Sequence, residues 1–160
     1  MAEGNRQFAI DKDLFLMAFG RDADYDHMGP EFSYLDRQTG ELIWFYETDD
    51  DEELLAGFPA EENRRDRERV EADPDRYLDI PGLDHGDHHD FLKAFLRSDW
   101  SDDEWRRLNA IECYSGSIGR WKKQVRDRDA VHAFYDFRDT LVAKLAEEWL
   151  RENGITPLWA

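Results

Sequence analysis

Residues 32–46 constrain the fold more than any other stretch of the chain. FSYLD and ELIWFYE, two apolar, aromatic-rich runs, flank the short polar segment RQTG, and such runs around a glycine-containing turn form a β-hairpin. In the second run Leu42, Trp44 and Tyr46 fall on one face and Ile43 and Phe45 on the other, because side chains alternate along a strand. Both faces are apolar, so the ribbon is expected to be covered on both sides by layers supplied from elsewhere in the chain.

Most of the other segments read as helices. DKDLFLMAFG, residues 11–20, has Asp11 to cap it, Leu14, Met17 and Ala18 at helical spacing, and Gly20 to end it. RDADYDHMGP then forms a polar connection. ETDDDEE, residues 47–53, reads as a solvated acidic loop; it lacks the alternating ligands and central glycine of a calcium-binding EF-hand loop. AEENRRDRERVEA, residues 60–72, predicts an exposed charged helix with Glu61 and Arg65 at i,i+4, stopped at Asp73-Pro74. YLDIP, 77–81, looks extended. Phe91, Leu92, Phe95 and Leu96 form the apolar stripe of a helix beginning at Asp87 or Asp90. SDDEW reads as a capping box of Ser101 and Glu104, with Leu108 and Ile111 continuing a buried face. CYSGSIG breaks that helix and WKKQV is a short helical piece. A long last helix from about Asp129 to Asn153 carries Val131, Phe134, Leu141, Leu145 and Trp149 on one side, with Gly154 as its cap. A short N-terminal helix, an antiparallel hairpin or small sheet, then four to five helices ending in a long one make an α+β fold. With no repeat and no linker, residues 1–160 read as a single domain.

Charge narrows the function. Against 21 basic residues stand 38 acidic ones, a net charge of -17, and a field of that sign repels phosphate backbones and anionic membrane surfaces. It suits either a solvated, salt-adapted surface or one that attracts a basic partner, up to mimicry of a nucleic acid. An apolar content of 41% is too high for a disordered chain. Cys113 is the only cysteine, which excludes an intramolecular disulfide and fits a cytoplasmic location. The longest early apolar run, LFLMAF at 14–19, is far short of the roughly 20 residues of a membrane span, and no signal peptide is evident.

GLDHGDHHDFL, residues 82–92, raises the question of a metal. His85, His88, His89 and Asp87 are the candidate ligands, and His85 and His89 have the separation of a zinc-protease pair, but Gly86 stands where its glutamate base belongs. If the helix begins at Asp87, His85 lies outside it and cannot share a face with the others. Asp84, Asp87 and Asp90 suit a helix N-terminus, where carboxylates cap free N–H groups. The segment therefore reads as a helix start, with no metal or cofactor assigned. Cys113 with His132 as base is a conceivable nucleophile, but nothing in the sequence positions the pair. Phosphate-binding and nucleophile-elbow glycine motifs are absent, so no catalytic residue is assigned. GSIGRWKKQVRDR, 116–128, is locally basic, and Arg120, Lys122, Lys123 and Arg126 are the candidate contacts for an anion or partner. Its G-x-x-G also occurs in RNA-clamping loops, but the net charge opposes that use.

The order of these features resembles a family of small bacterial proteins, the uncharacterised protein family zero-one-five-eight. The shared features are the short first helix, YLDRQTGELIWF, DPDRYLDIP followed by an acid-capped helix with a phenylalanine, GSIGRWKK, and the closing WLRENGI. They run from about Asp11 to Ile155. Ile118 and Gly119 replace a phenylalanine and an arginine of the family pattern, so an anion site built on those arginines does not carry over. The resemblance implies a bacterial cytoplasmic α+β domain and brings no activity or catalytic residues with it.

Three functions remain. The first is a non-enzymatic interaction or regulatory domain with a basic protein partner. The second is a metal-dependent hydrolase or transferase using residues 84–90. The third is nucleic-acid binding through Arg120–Arg128, which the charge disfavours. Trp159 is expected to tuck back onto the core, and a homodimer contact through it stays open.

Overall fold

The structure, a computed structural model, describes residues 6–21, 32–47 and 60–160. The hairpin forms where the aromatic runs place it. β2 (Phe32–Asp36) pairs antiparallel with β3 (Leu42–Phe45), Tyr34 opposite Ile43 and Phe32 opposite Phe45. The two-faced pattern holds: Ile43 and Phe45 are buried on one side, and Leu35, opposite Leu42, on the other. YLD joins as a third strand, β4 (Tyr77–Asp79), giving the order β3-β2-β4.

A second sheet was not foreseen. β1 (Arg6–Ile10) pairs in parallel with β5 (Ile155–Trp159), from Arg6 opposite Ile155 to Ile10 opposite Trp159. Between β1 and β2 lies α1 (Lys12–Phe19), whose N-cap is Asp11, as the sequence predicts. The buried side of α1 is different from the expected one. Phe15, Ala18 and Phe19 are buried, while Leu14 and Met17 are exposed, Met17 by 69%. LFLMAF is apolar all round, so periodicity cannot choose its inner face; the stacking of Phe15 on Phe19 and the tilted ring contacts with Trp149 and Trp159 do. Trp159 tucks back onto this aromatic group, its indole N–H donating to Glu147 at 3.0 Å.

The charged helix α2 (Ala60–Ala72) ends before Asp73-Pro74, as the sequence predicts. It is not wholly exposed. Val70 packs with Ile43, Phe45 and Tyr77, and Asn63, fully buried, accepts from the Tyr46 N–H at 2.6 Å and donates to the Tyr46 carbonyl at 3.2 Å. The amide thus gives the backbone beyond β3 the donor and acceptor that a further strand would supply.

Four more helices follow: α3 (His85–Leu96), α4 (Glu104–Glu112), α5 (Ile118–Gln124) and α6 (Arg128–Glu152). Fully buried Phe95 is surrounded by Trp100, Trp121, Phe134 and Phe137, with ring centroids 5.3–6.2 Å away. On α6 the buried residues are Ala130, Phe134, Val142, Ala146 and Leu150, one position away from most of the expected stripe, and Val131, Leu141, Leu145 and Trp149 flank them half-buried.

Six helices and five strands among the described residues make the chain α+β. They divide into two compact units. One runs to Leu83 and takes up Ala146–Ala160, with both sheets, α1 and α2; the other is Asp84–Leu145. The acidic run at 48–53 and the polar connection at 22–30 lie outside the described residues.

Candidate functional site

The unit formed by Asp84–Leu145 carries most of the candidate residues. α4 is held by polar contacts along one side. Arg106 makes a two-pronged ion pair with Asp127 at 2.7 and 2.8 Å, Asn109 donates to the Val125 carbonyl at 3.2 Å, and Trp121 donates its indole N–H to the Ala110 carbonyl at 2.9 Å. The last of these satisfies a carbonyl in the final turn of α4, where no intrahelical partner follows. These contacts fix the rotation of the helix. They turn Ala110 inward and leave Trp105, Leu108 and Ile111 facing solvent, 73%, 56% and 47% exposed.

This corrects the expectation that Leu108 and Ile111 lie on a buried face. The cap differs too: Asp103, not Ser101, accepts from the Trp105 and Arg106 N–H groups, and Ser101 accepts from the Asp103 N–H. At 100° per residue Glu104 and Glu112 project on the same side as Trp105, Leu108 and Ile111, and both are exposed, as are Asp102 and Asp103. Arg107 is bound to Asp99 at 3.0 Å. The outward side of α4 is therefore an apolar stripe bordered by carboxylates, with its two arginines drawn to acidic partners.

The basic segment is organised around its buried apolar residues, Trp121 and Val125. Ser117 caps α5 by accepting from the Arg120 N–H, and Trp121 is fully buried against Phe95 and Phe134. Arg120, Lys123 and Arg126 are left exposed around it, while Lys122 extends over the Tyr135 ring at 4.7 Å. Arg126 has a left-handed backbone, φ 48°, in the short turn to α6.

The histidine segment is a helix start, but one that begins two residues earlier than the earlier of the expected starts. Asp84 caps α3 in a reciprocal box with Asp87: the Asp84 carboxylate accepts from the Asp87 N–H at 2.9 Å and Asp87 from the Asp84 N–H at 3.2 Å. His85 is thereby the first residue of the helix and shares a face with His89, one turn on. The expectation that His85 lies outside the helix is overturned, because Asp84 rather than Asp87 is the cap. The two Nε2 atoms stand 2.8 Å apart, and His89 Nδ1 is hydrogen-bonded to the Tyr114 hydroxyl. Burial, and then the Asp90 carboxylate, push the Tyr114 phenol above its ordinary value, so it remains an O–H at neutral pH. His88 points elsewhere, buried edge-on to Phe91. Among the described residues no group of three or more His, Cys, Asp and Glu side chains is placed to enclose a metal. Cys113 directs its thiol to Asn109 and the Gln124 carbonyl, at 3.8 and 3.6 Å, and His132 is exposed on α6.

The other unit holds a polar cavity of about 320 Å³ lined by Arg6, Arg37, Gln38, Asp73, Asp75 and Arg76 with the chain at 153–155. Arg76 is held from behind by fully buried Asp36 at 2.8 and 3.0 Å. Against burial, which raises it, the Arg76 and Gln38 hydrogen bonds hold the Asp36 carboxyl below the ordinary range. Three guanidiniums face two lining carboxylates and one behind them, a near balance that suits no polyanion. Nothing local in the sequence marks these arginines, which come together through tertiary structure.

No protein family, curated protein or solved structure matches the chain. No helix among the described residues is long and apolar enough to cross a membrane.

Proposed function

We propose that the chain is a protein-interaction domain and that the outward side of α4 docks a basic, amphipathic segment of another protein. The observation that carries this reading is the exposure of Trp105, Leu108 and Ile111 together on one helix. An indole and two aliphatic side chains on neighbouring turns are costly to leave in water, each worth about 1.5–3 kcal/mol if fully covered. The rim of Asp102, Asp103, Glu104 and Glu112 selects for lysine and arginine around the partner's apolar residues, and a net charge of -17 adds long-range attraction for a cationic segment. Tryptophan is also a common energetic anchor of interfaces. A cytoplasmic location, where Cys113 stays reduced, and membership of the small bacterial family noted above are part of this reading.

The test is calorimetric titration of the whole chain with a synthetic amphipathic helical peptide carrying leucine on one face and lysine on the other. Binding is expected at low salt, weakened at least about tenfold by Leu108→Asp and by raising ionic strength, since exposed charges beyond roughly 10 Å are screened at 0.1 M. Binding of equal strength in Leu108→Asp would remove the docking role of α4. Binding indifferent to salt would remove the electrostatic part.

A further inference from the structure

The imidazoles of His85 and His89 converge on a single point. Their Nε2 atoms are 2.8 Å apart, with ring planes at 82°. Two nitrogens bound to one tetrahedral ion at about 2.0–2.1 Å each are separated by roughly 3.3 Å, so a shift of about half an ångström, within the reach of small side-chain rotations, opens the pair into a chelate. We propose that His85 and His89 form a two-nitrogen site for a borderline divalent transition ion such as Zn²⁺, Cu²⁺ or Ni²⁺. The proposal is independent of the docking surface.

Three features support it. The i,i+4 spacing puts both rings on one side of α3, a placement set by the cap at Asp84. The far nitrogen of His89 is engaged by Tyr114, the kind of outer hydrogen bond that orients a ligating imidazole. The positive end of the helix dipole, about half a charge, is outweighed by the capping carboxylates Asp84 and Asp87. Imidazole donors select Zn²⁺, Cu²⁺ and Ni²⁺ over Mg²⁺ and Ca²⁺, which prefer oxygen.

The protons balance. The neutral pair holds two, one per ring. In the bound form both Nε2 lone pairs face the ion and both protons stand on Nδ1, with His89 donating its own to the Tyr114 oxygen, so none is released. Among the described residues no third His, Cys, Asp or Glu side chain joins the pair, and water or an incoming ligand is expected at further coordination positions.

The test uses the full chain, free of any affinity tag and stripped with chelator, titrated with Zn²⁺ by calorimetry and with Cu²⁺ by electron paramagnetic resonance. One ion per chain is expected, with two equatorial nitrogens in the Cu²⁺ spectrum. Affinity should fall at least about tenfold in His85→Gln and in His89→Ala, fall in Tyr114→Phe, and stay unchanged in His132→Ala. Circular dichroism of each variant separates lost binding from lost folding, and His85→Gln, at the half-buried start of the helix, is the variant least prone to unfold. Absence of a 1:1 ion, or equal affinity in His85→Gln and the parent, would overturn the assignment.

Discussion

At the residue scale, Gly40 shows how one position can join two elements. Its φ is +80°, and a Cβ there would stand 2.7 Å from the Ala9 carbonyl oxygen and 2.9 Å from the Phe8 Cβ. The hairpin turn thus lies directly against β1, and glycine is required both by its conformation and by the space. Gly40→Ala is expected to cost at least about 2 kcal/mol, combining left-handed strain with a clash against backbone. Gly116→Ala is the control. It has φ +91° and nothing within 4 Å of its would-be Cβ, so it meets strain alone and should cost less; equal losses in chemical denaturation would contradict the role given to β1. The turn was legible from RQTG, but the contact with β1 was not, since a tight approach between segments far apart in the sequence leaves no local pattern.

Among the elements, the cap of α1, the hairpin and the stop of α2 were legible, while helix rotation, the caps of α3 and α4 and the terminal strands were not. Asp11, the hairpin and the end of α2 at Asp73-Pro74 follow from short-range rules, and the structure places them as those rules require. The errors have separate causes. In α1 an all-round apolar run gave no preferred face, and in α4 the polar anchors Arg106 and Asn109, with Trp121 against Ala110, turned the apolar residues outward. At α3 a helix start expected at Asp87, two residues late, hid the pairing of His85 with His89. The parallel pairing of β1 with β5 joins segments from opposite ends of the sequence and has no turn to announce it. Asn63 belongs to the same class: an ordinary polar residue in a charged helix, it secures α2 to the chain leaving β3. Asn63→Leu would leave the Tyr46 amide and carbonyl without those bonds, a loss of about 2 kcal/mol or more. A midpoint shift smaller than that of a typical surface substitution would show that α2 is held by Val70 packing alone.

At the level of the whole molecule, acidity governs the response to pH. Asp36 and Asp127 have carboxyls held below their ordinary values. For Asp36 burial opposes the shift and the Arg76 and Gln38 hydrogen bonds overcome it, and for Asp127 the Arg106 pair leads. A depressed folded value means that the stabilisation is fully present above the unfolded carboxylate range, near about 3.9, and is lost as pH falls below it toward the folded value. Asp66 and Asp79, raised first by burial, act in the opposite sense. Denaturant midpoints measured from pH 7 to 3 should therefore drop below about pH 4, with a smaller drop in Asp36→Asn; an unchanged slope in that variant would remove Asp36 from the account. The same acidity, gathered beside the exposed stripe of α4, underlies the docking proposal, and that claim has a direct test. Hydrogen exchange of the full chain, alone and with the lysine-leucine peptide, should show new protection at Glu104–Glu112 that vanishes in Leu108→Asp. Protection confined to other segments, with exchange in α4 unchanged, would contradict it.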